Sequence, residues 1–381
     1  MKSVSFMWFF VALLCVYSLV HLYIYTRAMQ VFPLQENSKK YVLIGYIILS
    51  SAFFIGMFLE RAYSSLLSEW ILKIGSIWLA FVLYFLLLLV LIDIVRVFNY
   101  FFHFLPHFSQ YAKSIVGICV AVIVCVIVLV GHIIALRVQV VHIPITSNKT
   151  VHGTNKVKIL MASDLHLGAI IGERWEKKFL RIVREQNPDL VLLCGDIVDG
   201  DIAPVLRKQL GKHIQELQPP LGLYAVTGNH EYIGGIDKAL AYFKKINIQV
   251  LRDEYIELEN GIQLIGRNDL HGQTALNKRA SLDSLLQNLD TTKPIIVMDH
   301  QPYNLQKASE HNIDLHLSGH THHGQLWPLN YITNALFELS WGYRLINQTH
   351  FYVSSGFGTW GPRVRLGNKA EVVVFSVEFK E

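Results

Sequence analysis

The chain is poor in thiols, in charge and in anything repetitive. Only four cysteines occur in 381 residues. Cys15, Cys119 and Cys125 lie in long apolar runs, and Cys194 sits in the apolar stretch LVLLC, where it reads as core. A thiolate zinc site therefore has no ligands to draw on, and the cysteine count reveals no redox compartment. Charged residues make up 17%. Residues 1–135 hold eight Lys/Arg against four Asp/Glu, giving +4, and the remainder holds 26 against 25, giving +1. The basic balance thus comes mostly from the N-terminal third. No basic stripe with interleaved aromatics follows it, so no nucleic-acid partner is expected. There is no internal repeat and no low-complexity segment.

What the chain does have is hydrocarbon. Four apolar stretches, at about 4–25, 41–59, 74–92 and 114–136, are each long enough to span ~30 Å of bilayer as a helix. The first is too long and too aromatic for a signal peptide and lacks a small-x-small cleavage site before Gln30. Runs such as FVLYFLLLLVL at 81–91 have no polar face, which argues against a buried soluble bundle. Tyr23, Tyr25, Tyr41, Trp70, Tyr100 and Phe104 cluster near span ends, as an interfacial belt does. Asp93 and Arg96 near the end of the third span read as a structural or interfacial pair. Lys2, Arg61, Lys73 and Arg137 flank the spans on one side and Arg27, Lys39, Lys40, Arg96 and Lys113 on the other, so charge bias assigns no sidedness. The lipid bilayer is the first partner expected, and the bacterial plasma membrane the expected location.

The remaining residues carry five short polar segments, each behind an apolar run. VKILMAS (157–163) ends at Asp164-Leu165-His166, LVLLC (190–194) at Gly195-Asp196, and LYAVT (223–227) at Gly228-Asn229-His230-Glu231. PIIVM (294–298) ends before Asp299-His300, and IDLHLS (313–318) before Gly319-His320-Thr321-His322. All five read as buried strands that deliver polar residues at their C-terminal tips, where open α/β sheets build their sites. Glycine precedes three of the groups, where backbone must turn sharply or approach closely. Singly, Asp-x-His or Gly-Asn-His is more often a cap or surface polarity. Five in order are not. His311 and His316, near the last segment, read as structural or exposed. Together the segments supply eight nitrogen and oxygen donors, a set suited to Mn, Fe, Zn or Co.

The order D-x-H, G-D, G-N-H-E, H, G-H-x-H resembles the calcineurin-like metallophosphoesterase superfamily over roughly residues 140–381. GLYAVTGNHE and GHTHHGQ resemble its YkuE-like branch and the transmembrane proteins with a metallophosphoesterase domain. That branch usually reads G-H-T-H-G-G-Q, so His323 stands in place of a glycine at the rim of the site. The resemblance implies an α/β fold, a two-sheet αββα sandwich, preceded by a four-helix transmembrane region. The corresponding domains are 1–136, in the membrane, and 137–381, the phosphoesterase. It implies two divalent metal ions. Asp164, His166, Asp196 and His322 would hold the first. Asp196 would bridge to the second, completed by Asn229, His300 and His320. His230 would face the leaving group rather than a metal, with Glu231 a candidate to orient it.

These residue types suit the chemistry. Two cations neutralise an anionic phosphoryl group and lower the pKa of a bridging water, giving a nucleophile at neutral pH. A protonated His230 can neutralise the leaving oxygen. The expected function is a membrane-anchored, dinuclear, metal-dependent phosphoesterase. Its expected substrate carries a phosphoester or pyrophosphate. A lipid-linked one such as UDP-2,3-diacylglucosamine is a candidate, because family members cleave it. The alternative is a membrane sensor or scaffold whose domain binds a phosphorylated ligand without turnover; the intact ligand set argues against that.

Helices are expected at 173–186, 202–217, 236–246 and 281–289, and further strands near 137–143, 248–251, 255–258, 262–265, 351–354 and 372–379. Residues 147–156 read as a loop. Segment 326–343 is rich in large apolar side chains. It reads either as a helix packed on the sandwich or as an apolar rim that admits lipid chains.

Overall fold

The computed structural model describes residues 2–273 and 278–380, with backbone alone at 2–7, 9 and 10. The chain divides into two compact units, Met1–Leu59 with Leu66–Ile133, and Glu60–Ser65 with Ile134–Glu381.

The first unit is helical: α1 (Lys2–Val31), α2 (Glu36–Ala62), α3 (Leu66–Phe102) and α4 (Gln110–Ala135). Each is long and apolar enough to cross a membrane. Leu19, Ile48, Phe58 and Val122 are each more than half exposed. A soluble bundle would bury such side chains, whereas a span turns them to lipid. Asp93 accepts from Tyr23 Oη (2.6 Å) and pairs with Arg27 (2.5 Å) and Arg96 (3.1 Å), so it ties α1 to α3 as a structural charge.

The second unit begins at once, with β1 (Val138–Ser147), β2 (Lys156–Ala162), α5 (Glu173–Gln186), β3 (Leu190–Cys194), α6 (Ala203–Lys208) and β4 (Leu223–Val226). Then come α7 (Asn229–Gly234), α8 (Ile236–Lys245), β5 (Gln249–Val250), β6 (Glu254–Glu257), β7 (Gln263–Gly266) and α9 (Leu282–Leu286). The last elements are β8 (Ile295–Met298), α10 (Leu305–Ala308), β9 (Leu315–Ser318), α11 (Asn330–Leu336), β10 (Gly342–Ile346), β11 (Thr349–Val353) and β12 (Ala370–Phe379). They build two six-stranded sheets, ordered β1-β12-β2-β3-β4-β5 and β10-β11-β9-β8-β7-β6. β2, β3, β4 and β5 run parallel, as do β7, β8, β9 and β11, while β12 is antiparallel to β2.

Period-two alternation makes the core. Ile159 and Met161 of β2, Leu190 and Leu192 of β3, Met298 of β8, Leu317 of β9 and Phe375 of β12 join one buried cluster between the sheets. Leu160 and Ala162 are equally buried on the other side of β2. That two-sided burial is why these strands read as unbroken apolar runs. α5 buries Trp175, Phe179, Ile182 and Val183 and ends at Asn187, in the left-handed conformation, before Pro188. The helix expected over 202–217 is instead two pieces, α6 and a 3-10 turn at Ile214–Glu216. Gln209 (φ 53°) and Gly211 (φ 96°) adopt left-handed backbone there, which no right-handed helix runs through.

Candidate active site

The five expected segments follow the ends of β2, β3, β4, β8 and β9. The turns there are tight: Asp164, His166, Asp196, His320 and His322 all have positive φ, of 54°, 48°, 50°, 72° and 46°. Left-handed backbone is costly for residues with a Cβ and collects where function holds it in place. The glycines have a plain reason. A Cβ on Gly228 would strike the Asp196 carboxylate, and one on Gly319 would strike Asp164 and Ser163.

Three groups of donors result, two of them built on the Asp164 and Asp196 carboxylates. Asp164, His166 and His322 offer ligand atoms all within 4.8 Å of one another, as do Asp196, His300 and His320. In the first, His166 Nε2 and His322 Nε2 are 3.0 Å apart, and Asp164 Oδ1 is 3.3 Å from the latter. In the second, Asn229 Oδ1 lies 2.9 Å from His320 Nδ1 and 3.3 Å from His300 Nε2. Asp196 Oδ2 lies between the groups, 3.2 Å from His300 Nε2 and 3.9 Å from His166 Nε2. Its other oxygen accepts the His230 backbone N–H at 2.9 Å, which fixes the carboxylate.

The donors fit cations. His300 Nδ1 lies 2.8 Å from the Cys194 carbonyl, which turns Nε2 toward Asp196 Oδ2 and Asn229 Oδ1. Burial would lower the pKa of this imidazole, but Asp196 holds it well above the usual range, so Nε2 carries a proton that a bound cation would replace. The oxygens of Asp196 and Asn229 thus face a position that holds positive charge, as the His300 proton or as a cation in its place. Burial alone would raise the Asp196 pKa, but His300 and His230 hold it well below the usual carboxylate range. The group is therefore an anion whose charge must be balanced.

His230 belongs to the third group, with His166 and Asp199, whose ligand atoms also lie within 4.8 Å of one another. Its Nδ1 lies 3.0 Å from Asp199 Oδ1, and its ring meets His166 edge-on at 4.6 Å. Burial would lower its pKa, but Asp196 and Asp199 together raise it to about 9, so it is protonated at neutral pH. Asp199 did not emerge from the sequence. The signal was there, a second carboxylate three residues after Asp196. Asp199 N donates to the Leu167 carbonyl (2.9 Å), which draws the turn against the Asp164–His166 segment.

Glu231 has a different job from the one expected. Fully buried, it accepts the backbone N–H groups of Gly228 (2.7 Å), Val198 (3.0 Å) and Asp196 (3.1 Å). It ties the β3 and β4 tips together and does not orient His230. Asp299 is an ion-pair hub, held by Arg267 (2.9 Å) and Arg279 (2.5 Å). His316 packs on Phe351 and His311 pairs with Asp283 (2.9 Å), both structural as expected. Cys194 is buried.

A family model for calcineurin-like phosphoesterases matches residues 157–324. An uncharacterized metallophosphoesterase of Aquifex aeolicus is 36% identical over 254 residues, covering 66% of this chain and 95% of that protein. The chain belongs to the calcineurin-like phosphoesterase family. Another uncharacterized metallophosphoesterase, of Helicobacter pylori, is 32% identical, over 57% of this chain and 58% of that protein. A transmembrane protein with metallophosphoesterase domain from Bos taurus is 33% identical, over 57% of this chain and 52% of that protein. The chain thus spans a little over half the length of these two relatives. Family membership makes the second unit a metal-dependent phosphoester hydrolase.

At the rim of this phosphoesterase site, His323 adopts φ 45°, a conformation natural to glycine. Its Nδ1 lies 2.8 Å from Ser340 Oγ and its ring lies 5.1 Å from that of Trp341, tilted by 42°, so it turns toward the 326–343 segment. That segment does not bury its helix. α11 has no buried residue, which overturns the packed-helix reading. Phe337 follows it and brings its ring to 6.0 Å from His320 and 5.1 Å from Tyr303.

Proposed function

We propose that this chain is a membrane-anchored dinuclear phosphoesterase that hydrolyses a lipid-linked phosphoester or pyrophosphate. Asp164, His166, Asp196 and His322 would hold one divalent cation, and Asp196, Asn229, His300 and His320 a second. Mn, Fe, Zn and Co all suit these donors. The position of Asp196 Oδ2, between the two groups of donors, carries the two-metal reading. When bound, the cations would supply neutralisation of the phosphoryl oxygens and an acidified water.

The side chains supply the rest. Asn229 contributes a neutral carbonyl oxygen, which keeps the site's net charge favourable to an anion. His230, protonated and anchored by Asp199, gives its proton to the leaving oxygen. Apolar side chains beside His320, Phe337 first among them, favour an acylated substrate of the UDP-2,3-diacylglucosamine kind over a soluble nucleotide. The test is turnover of bis(p-nitrophenyl) phosphate by purified protein, with metal content measured alongside. Turnover lost to a chelator, restored by Mn or Zn, with two ions per chain, supports the reading. Binding of the ester without turnover at full metal loading would instead make the protein a sensor.

A further inference from the structure

The row of strand tips that delivers the donors continues past them. In the first sheet β5 lies beside β4, and in the second β7 lies beside β8. Both pairs run parallel, so each added tip opens on the edge where its neighbour delivers a donor. Arg252 follows the end of β5, and Asn268 follows the end of β7. The pairing Ala225↔Val250, carried two residues on, brings Arg252 level with Thr227, two residues before Asn229. Neighbouring strands lie about 5 Å apart.

Tyr232 joins these tips. It sits one helical turn from Asn229 on the same side of α7. Its Oη donates to Asn268 Oδ1 and accepts from Arg252 Nη2 at 2.9 Å. Arg252 Nε reaches the same Asn268 oxygen at 3.4 Å, and its Cζ lies 5.9 Å from the centre of the Tyr232 ring. Thr227 Oγ1, 3.4 Å from that oxygen, ties the assembly to the tip of β4.

Arg252 is therefore half-buried and held in place, yet its side chain meets neutral oxygens alone. Among the described residues no carboxylate pairs with its guanidinium. The acids that follow it are engaged elsewhere: Asp253 accepts the N–H groups of Asn268 and Ala280, both at 3.0 Å, and Glu254 accepts the backbone N–H of Arg252 at 3.2 Å. Drawing a cation part-way out of water costs free energy that neutral dipoles offset only in part, and an anion completes the balance.

We propose that Arg252, steadied by Tyr232 and Asn268, binds a second phosphoryl group of the substrate, beyond the one taken at the metal donors. The substrate class is then a pyrophosphate or another ester with two phosphoryl groups, not a simple monoester. A guanidinium suits the task because its planar fork meets two phosphoryl oxygens at once. The inference rests on the proposed metal site for the first phosphoryl group, and its test reads binding apart from turnover.

The experiment is isothermal titration calorimetry on the full chain in detergent, saturated with Mn. Methylenediphosphonate offers two linked phosphoryl groups and resists hydrolysis; inorganic phosphate offers one. Arg252→Gln should lose about tenfold in affinity for methylenediphosphonate and less than about twofold for phosphate, as loss of one charge-assisted contact requires. An equal loss for both ligands, or no loss for either, overturns the proposal. Should a melting curve show that Arg252→Gln does not fold, Tyr232→Phe decides in its place. A loss of about threefold confined to methylenediphosphonate is then expected, the size of one hydrogen bond that orients the guanidinium, and an equal loss or none overturns the proposal. Turnover of bis(p-nitrophenyl) phosphate separates the two readings. Selective loss of binding in a chain whose native form never cleaves the ester defeats the hydrolase and leaves the subsite standing; turnover with no selective loss does the reverse.

Discussion

His230 Nδ1 and Asp199 Oδ1 face each other at 3.0 Å, in a group of donors that shares His166 with the one built on Asp164. We expect His230→Asn to lower the rate by roughly 10²–10⁴ while leaving metal content intact. Asp199→Asn should cost less, because the imidazole survives and loses only its anchor. Both losses should shrink for esters with good leaving groups, which need no proton. Metal loss in His230→Asn, read by elemental analysis, would make it a ligand.

Asp196→Asn should abolish turnover and reduce bound metal, since a neutral amide bridges two cations poorly. Undiminished turnover with two ions per chain would remove Asp196 from the site. The same carboxylate accepts the His230 N–H, so a thermal melt should accompany the assay to separate ligand loss from a loosened turn.

Acid should weaken the fold through His316, whose pKa burial pushes down to about 4. Above pH 6.5 it is neutral in both folded and unfolded chains and contributes no pH dependence. Below that, only the unfolded chain takes up the proton, so stability falls as pH drops from 6.5 toward 4 and the loss then levels off. The window corresponds to roughly 3 kcal/mol at about 1.4 kcal/mol per unit. His316→Leu should flatten the change in melting temperature between pH 7.5 and 5, relative to the native chain in the same detergent. An unchanged slope would mean that His316 titrates normally.

Glu231→Gln should destabilise the second unit by about 1–3 kcal/mol, because an amide nitrogen would then face a backbone N–H. The reading predicts a lower melting temperature with the slope of rate against leaving-group pKa unchanged. A changed slope at unaltered stability would restore the idea that Glu231 serves His230.

Trp327→Ser combined with Phe337→Ser should erode a preference in kcat/KM for a lipid-linked pyrophosphate over its soluble headgroup analogue. A small chromogenic ester should be handled as before. Equal efficiency on lipid and headgroup in the native chain would leave the four helices as a tether alone.

Much of this molecule was legible in its sequence because it rests on periodicity. The strands leading to Asp164, Asp196, Asn229, His300 and His320 are buried on both faces toward their C-terminal ends and so announce themselves as apolar runs. α5 occupies the expected residues because Trp175, Phe179, Ile182 and Val183 recur at helical spacing and Pro188 stops it. What stayed hidden depends on how chain segments cross. Asp196 and Asp199 are both carboxylates after one strand, and only the turn's path onto Leu167 decides which one meets His230. Glu231 looked like a partner of its neighbour because adjacency in sequence suggests adjacency in space. Its side chain instead turns back to three backbone N–H groups. Segment 326–343 has the composition of a core helix, yet exposes α11, because composition does not say which surface an apolar face will meet.

The strand order also sets a schedule for synthesis. β12 lies between β1 and β2, paired in parallel with β1 from Val138↔Ala370 to Ser147↔Phe379. β1 emerges from the ribosome more than 200 residues before its neighbour exists. Until then its edge is open, just after α4, and β2 lacks the partner on that side. The first sheet can close only when β12 has been made and slides between strands already in place. Deleting β12 should therefore leave α1 to α4 able to form while the phosphoesterase unit waits, half-built, with two raw edges facing each other.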